Sequence, residues 1–146
     1  MAVTRRVMAG VDPEDVFDVL RDGRSYGHWV VGTRKIRATE PGWPAVGTAI
    51  HYTVGYWPLR KDDKTTSEVY EPDTRLELEA FAWPAGSARI DIRAEKVADG
   101  TLVSIDEHPK SGPGAALHNP LSDAFIHLRN VEGLRRLEGL ARRHRR

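Results

Sequence analysis

Three stretches in the second half of the chain alternate apolar and polar residues with a strict period of two. Leu76, Leu78, Ala80 and Ala82 oppose Glu77 and Glu79; Ala88, Ile90, Ile92 and Ala94 oppose Arg89, Asp91 and Arg93; Val103 and Ile105 oppose Ser104 and Asp106. Such strands have one dry and one wet face. The same period, punctuated by Pro41-Gly42, Trp57-Pro58, Pro72-Asp73, Pro84-Ala85-Gly86 and Asp99-Gly100, predicts strands near 33–39, 47–57, 60–70, 75–83, 87–97 and 101–108. A further short strand is expected at 3–9. The short connections imply an antiparallel meander.

Helical signals are confined to two places. In Val11-Asp12-Pro13-Glu14-Asp15-Val16, Asp12 reads as N-cap, Pro13 as the first helical residue and Val11 with Val16 as a staple, starting a helix that ends near Asp22. Gly23, Gly27 and Gly32 limit the next helix to a turn or two carrying Tyr26 and Trp29 on one side. The long helix runs from Asn119 or Pro120 to about Arg142, roughly 30 Å or more at the usual rise per residue. It is the one long element available to cover the dry face of the sheet. Periodicity alone therefore predicts an α+β fold in which a curved antiparallel sheet of about seven strands wraps a C-terminal helix.

That helix carries two stripes. Asp123, His127, Asn130, Leu134, Leu137 and Ala141 form one, polar then apolar; Leu121, Phe125 and Leu128 form the other. If the first faces the sheet, His127 and Asn130 bring polar atoms inward.

Composition narrows the chemistry. The chain of 146 residues has the size of one domain and contains no cysteine, which removes disulfides, thiol nucleophiles and thiolate metal sites. No apolar run is long enough for a signal peptide or a membrane span, so a cytoplasmic location is expected. Residues 134–146 hold six arginines and one glutamate, a charge of +5, which leaves −4 of the formal +1 for the rest. Cations suit a helix C-terminus. No base-reading module accompanies them, so no nucleic-acid partner is expected, and membrane contact through this end is the lesser reading.

Glu107 is the anomaly of the polar pattern. Counting by two from Val103 and Ile105 puts it on the dry face, where a carboxylate needs a partner or a proton. The plainer alternative is that the strand ends or bulges at Asp106 and turns Glu107 to water. His118, Asn119, Pro120 and Asp123 are explained as a helix start, with a His118–Asp123 polar staple, better than as a metal site. Ser111-Gly112-Pro113-Gly114 lacks the Lys-Ser/Thr of a phosphate loop and reads as a connector. Trp29, Trp43, Tyr52, Tyr56, Trp57 and Trp83 suit a cavity mouth for a flat ligand, although core packing explains each singly.

The segments Val11–Phe17, Asp22, Tyr26 and Trp29, Glu71-Pro72-Asp73-Thr74-Arg75-Leu76, and Gly100-Thr101-Leu102-Val103 with Glu107 together resemble the START-like, polyketide cyclase/dehydrase (SRPBCC) superfamily. The resemblance covers nearly the whole chain. It implies a helix-grip fold over residues 1–146 as a single ligand-binding domain: a strongly bent sheet, two short helices after strand 1, and a long C-terminal helix closing an apolar cavity. The superfamily includes lipid carriers, aromatase/cyclases and hormone-binding proteins.

Three functions follow as expectations. The first is a binder of a small hydrophobic or aromatic molecule, lipid- or polyketide-like, without cofactor or metal. Its cavity would be lined by Tyr52 and Val54, by Leu78, Ile90, Ile92 and Ile105, and by Trp29, Asn130 and Leu134 from the helices. The second is a cyclase in which Glu107 or His127 abstracts a proton alpha to a carbonyl and Tyr52 polarises the oxygen. The third is an interaction protein with a filled cavity and a basic tail. The oligomeric state is left open by the sequence.

Overall fold

The computed structural model describes residues 2–31, 35–54, 61–82, 86–111 and 120–144. Strand β1 (Ala2–Ala9) leads into helix α1 (Pro13–Arg21), a 3-10 turn (Gly23–Ser25) and the one-turn helix α2 (Tyr26–Trp29). Six strands follow: β2 (Lys35–Thr39), β3 (Ala49–Val54), β4 (Lys61–Glu71), β5 (Arg75–Ala82), β6 (Gly86–Val97) and β7 (Gly100–Ser111). Helix α3 (Pro120–His144) closes the order. The expected strands and helices are all present, with ends displaced by a few residues.

The strands form one sheet in the order β1-β7-β6-β5-β4-β3-β2, every neighbouring pair antiparallel. It is a meander from β2 to β7, with β1 added beside β7. Its register carries one inward row across five strands: Thr4 opposite Ile105, Ile105 opposite Ile92, Ile92 opposite Leu76, and Leu76 opposite Tyr70. Irregularities between Ile36 and Ala38, Ser67 and Val69, and Ser87 and Ala88 break the pairing. Bulges of this kind bend the strands that carry them.

The start of α1 follows its sequence. Asp12 is the N-cap with Pro13 first in the helix, and the Asp12 N–H donates to Asp15 Oδ2 at 3.0 Å. Val16, Phe17, Val19 and Leu20 are buried beneath it, as is Val11. The outer face of the sheet is charged, yet Asp91 is buried there. Arg75 Nε donates to its Oδ1 at 3.2 Å and Arg93 Nη2 to its Oδ2 at 3.1 Å. The two long arginine side chains cover the short carboxylate between them.

Helix α3 packs on α1, α2, β1 and β7. Asn130, Leu134, Leu137 and Ala141 are buried, while Phe125 and Leu128 stand 67% and 68% exposed. From Asn130 onward the first stripe therefore faces the protein, whereas Phe125 and Leu128 of the second face solvent. Leu134 and Leu137 join Met8, Phe17, Ile92 and Ile105 in one core cluster.

Candidate functional site

Strand β7 does not stop at Asp106. It continues to Ser111, and Glu107 pairs with Ala2 of β1 and Ile90 of β6, keeping the inward phase of Val103 and Ile105. Glu107 is consequently 6% exposed. The turn to water that would have exposed it is absent, because β1 holds the ladder up to Glu107 and β6 holds it beyond.

The buried carboxylate is met from α3. Arg129 Nη2 donates to Glu107 Oε1 at 2.6 Å and Oε2 at 2.5 Å, and Asn130 Nδ2 donates to Oε1 at 3.1 Å. A charge enclosed against apolar neighbours is tolerated when a counter-ion and hydrogen bonds replace its water. Glu107 has both. Asn130 is thus brought to Glu107 as the stripe and the period-two count place it.

His127 is not. Its ring lies on an exposed residue and its Nδ1 shares a hydrogen bond of 3.1 Å with Thr4 Oγ1 on β1. Thr4 is buried on the inward face, in the row next to that of Glu107. Two polar links, His127 to β1 and Arg129 with Asn130 to β7, thereby fasten the first half of α3. Further along, Arg6 Nε donates to Glu138 Oε1 at 2.6 Å.

Tyr52 is buried and reaches across β4 to β5. Its hydroxyl lies 2.7 Å from the Phe81 carbonyl, 2.9 Å from the Lys64 carbonyl and 2.9 Å from Thr65 Oγ1. Burial, partly offset by the Thr65 hydrogen bond, pushes its phenol up to about 12, so it is a neutral donor near pH 7. The sheet's own carbonyls take that donor.

The residues expected to line a cavity are part of the packed core. Leu78, Ile92, Ile105 and Leu134 are buried and Ile90 is half-buried, all within or against the same cluster as Tyr52 and Trp29. Val54 is the last residue of β3, with its side chain outside the described residues. Tyr56, Trp57, Trp83, residues 112–114 of the Gly-rich connector and His118 also fall outside the described residues, and the expected His118–Asp123 staple with them. Trp43 is buried against Tyr26, ring centroids 5.8 Å apart, and so belongs to the packing.

Two participants escaped the sequence reading. Thr4 shares its inward phase with Met8, and that period was the available signal. Arg129 lies beside Asn130 but off the stripe; the signal for it was electrostatic, since a buried glutamate calls for a cation within reach.

The arrangement is a bent sheet gripping one helix, apolar within and with a few tied polar groups at the seam. The model of the family described as polyketide cyclase/dehydrase and lipid transport matches residues 1–142. The chain belongs to this family. Solved structures agree with the helix-grip fold of the polyketide cyclase/dehydrase family. Protein NE0264 from Nitrosomonas europaea superposes with a TM-score of 0.73 at 16% identity, over 98% of this chain and 94% of that one. The AHSA1-like protein from Aeromonas hydrophila gives 0.67 at 14% identity, over 97% and 92%. Protein MLL2253 from Mesorhizobium loti gives 0.69 at 14% identity, over 97% and 96%. Among curated proteins no sequence relative matches. Among the described residues, no helix is long and apolar enough to cross a membrane.

Proposed function

We propose that the protein binds one small hydrophobic or aromatic molecule, lipid- or polyketide-like, between the concave face of the sheet and α3, as a carrier or sensor. The observation that carries this reading is the Glu107–Arg129–Asn130 cluster, a buried polar knot between a sheet face that carries Leu78, Ile92 and Ile105 and a helix that carries Leu134. Small-molecule sites combine an apolar lining with a few fixed polar groups in this way. Arg129, with 29% of its side chain exposed, stands within reach of both the interior and solvent, where it can meet the polar end of a bound molecule.

The cyclase alternative asks more of the same residues. Glu107 or His127 would act as base and Tyr52 as donor, yet Glu107 accepts from Arg129 with both oxygens and the Tyr52 hydroxyl is engaged with Phe81 and Lys64. Substrate would have to open these bonds; a carrier leaves them closed.

Native mass spectrometry of the purified protein, with displacement of 1-anilinonaphthalene-8-sulfonate, tests the binding reading. We expect a co-purifying apolar mass or saturable dye binding in the wild type and loss of either in Ile105→Trp, which fills the lining. No binding of either kind by the folded wild type would count against it. Turnover of a poly-β-keto thioester analogue that is lost in Glu107→Gln or His127→Ala would favour the cyclase.

A further inference from the structure

We propose that the bound molecule carries a hydrogen-bond acceptor, a carbonyl or ether oxygen, that is met by the indole N–H of Trp29. This rests on the binding reading above and narrows it from any apolar molecule to an oxygen-bearing one.

Trp29 stands in an aromatic group at the junction of α1, α2 and α3. Its ring lies 5.0 Å from that of Tyr26, which in turn lies 5.8 Å from Trp43. Each of the three has one polar hydrogen. The Tyr26 hydroxyl donates to the Leu20 carbonyl at 3.0 Å, and Trp43 Nε1 donates to the same oxygen at 3.1 Å. Leu20 belongs to the last turn of α1, whose carbonyls lack helical partners. A carbonyl has two lone pairs, and here both are taken.

Trp29 is left over. The residue is 4% exposed, and its Nε1 is buried without a hydrogen-bond partner. An indole N–H can only donate, and a donor enclosed without an acceptor forfeits the bond it would make in water. Several other buried side-chain donors of the described residues are paired. Ser67 donates to the Pro44 carbonyl at 2.7 Å, Thr101 to the Val11 carbonyl at 2.6 Å, and Asn130 to Glu107.

Among the described residues three other buried atoms lack a partner. Asp106 Oδ1 and His108 Nε2 lie 2.8 Å apart on the outer face. Thr39 Oγ1 belongs to a half-buried residue beside Gly23. Among the described residues, Trp29 alone combines a core position with a donor that has no acceptor.

The Trp29 carbonyl and Cε3 are the atoms nearest to where a side chain on Gly133 of α3 would begin, at 3.2 and 3.9 Å. Cε3 and Nε1 lie on opposite edges of an indole, so the edge nearest Gly133 of α3 is the one without the N–H. Trp29 also belongs to the cluster that contains Tyr52, Leu78 and Leu134.

The test uses 2-acetylnaphthalene and 2-ethylnaphthalene, which share a skeleton and differ in the carbonyl, against the wild type and Trp29→Phe. In the wild type the Trp29 indole proton resonance should move downfield with the ketone and not with the hydrocarbon. The ketone-to-hydrocarbon affinity ratio should fall about threefold to tenfold in Trp29→Phe. An unchanged ratio, or equal movement of the resonance with both probes, overturns the proposal and leaves the binding reading standing. If neither probe binds the folded wild type, both fall. The resonance measurement needs no substitution and stands even if Trp29→Phe does not fold.

Discussion

The carboxylate of Glu107, on the inward face of β7, is held by Arg129 of α3 through both of its oxygens, at 2.6 and 2.5 Å. The pair joins two elements that are joined in sequence only through a long connector. Arg129→Leu would leave an enclosed negative charge with Asn130 as its remaining partner. Because Arg129 is partly exposed, we expect a loss of about 2–3 kcal/mol rather than the larger penalty of a fully buried pair. Adding Glu107→Leu should recover most of it, to within about 1 kcal/mol of the wild type. Urea unfolding of the two variants checks this; equal destabilisation in the single and double variants would mean that the charge pairing is irrelevant.

The two stripes of α3 should differ sharply in stability. Leu134 is fully buried and Leu128 stands 68% exposed. Leu134→Ala should cost about 2–5 kcal/mol through lost burial and a residual cavity. Leu128→Ala should stay within about 0.5 kcal/mol, since little is buried there to lose. Chemical denaturation of both variants decides which face grips the sheet.

Much of this organisation is legible in the sequence, and what is not has a physical reason. Strands β5 to β7 are read by period two because one face is wet, and α1 by Asp12-Pro13. Counting inward from Val103 reaches Glu107, and the helical stripe reaches Asn130; the two meet. Arg129 escapes because periodicity reports where a Cβ points, and a guanidinium on a long flexible stem ends elsewhere. His127 lies on the correct stripe but one turn before Asn130, where its ring reaches the edge strand β1 at Thr4 rather than Glu107. Tyr52 is buried in the core cluster. That its hydroxyl would reach carbonyls on β4 and β5 depends on strand order, which periodicity does not contain.

Glycines within α3 offer a paired comparison. A Cβ on Gly133 would sit 3.2 Å from the Trp29 carbonyl, whereas on Gly139 its nearest neighbour would be the tip of Arg143, 3.9 Å away. Alanine in a helix is worth roughly 1 kcal/mol over glycine. Gly139→Ala should therefore raise stability by about 0.5–1 kcal/mol. Gly133→Ala should gain nothing or lose stability, because α2 must give way, and should alter the near-ultraviolet dichroism of the tryptophans. Equal gains at both positions would show that α2 does not press on the helix there.

Glu138 supplies the acid limb of a pH dependence. Burial of its side chain would raise its carboxyl, but hydrogen bonds from Arg6 and Arg142 outweigh this and hold it below the usual carboxylate range. Arg6 Nε lies 2.6 Å from Oε1 and Arg142 Nη2 lies 2.7 Å from Oε2. The sign follows from linkage: the unfolded chain, titrating near about 4.3, takes up a proton before the folded one does. The stability gained from the ionised group is thus fully present above the unfolded value and disappears as pH falls through the folded one. With both arginines partly in solvent, it should be about 1 kcal/mol or less and should shrink with salt. Unfolding free energies of the wild type and Glu138→Gln should differ at pH 7 and converge as pH drops below about 4. A gap that stays constant over this range would mean that Glu138 stabilises α3 by packing rather than by charge.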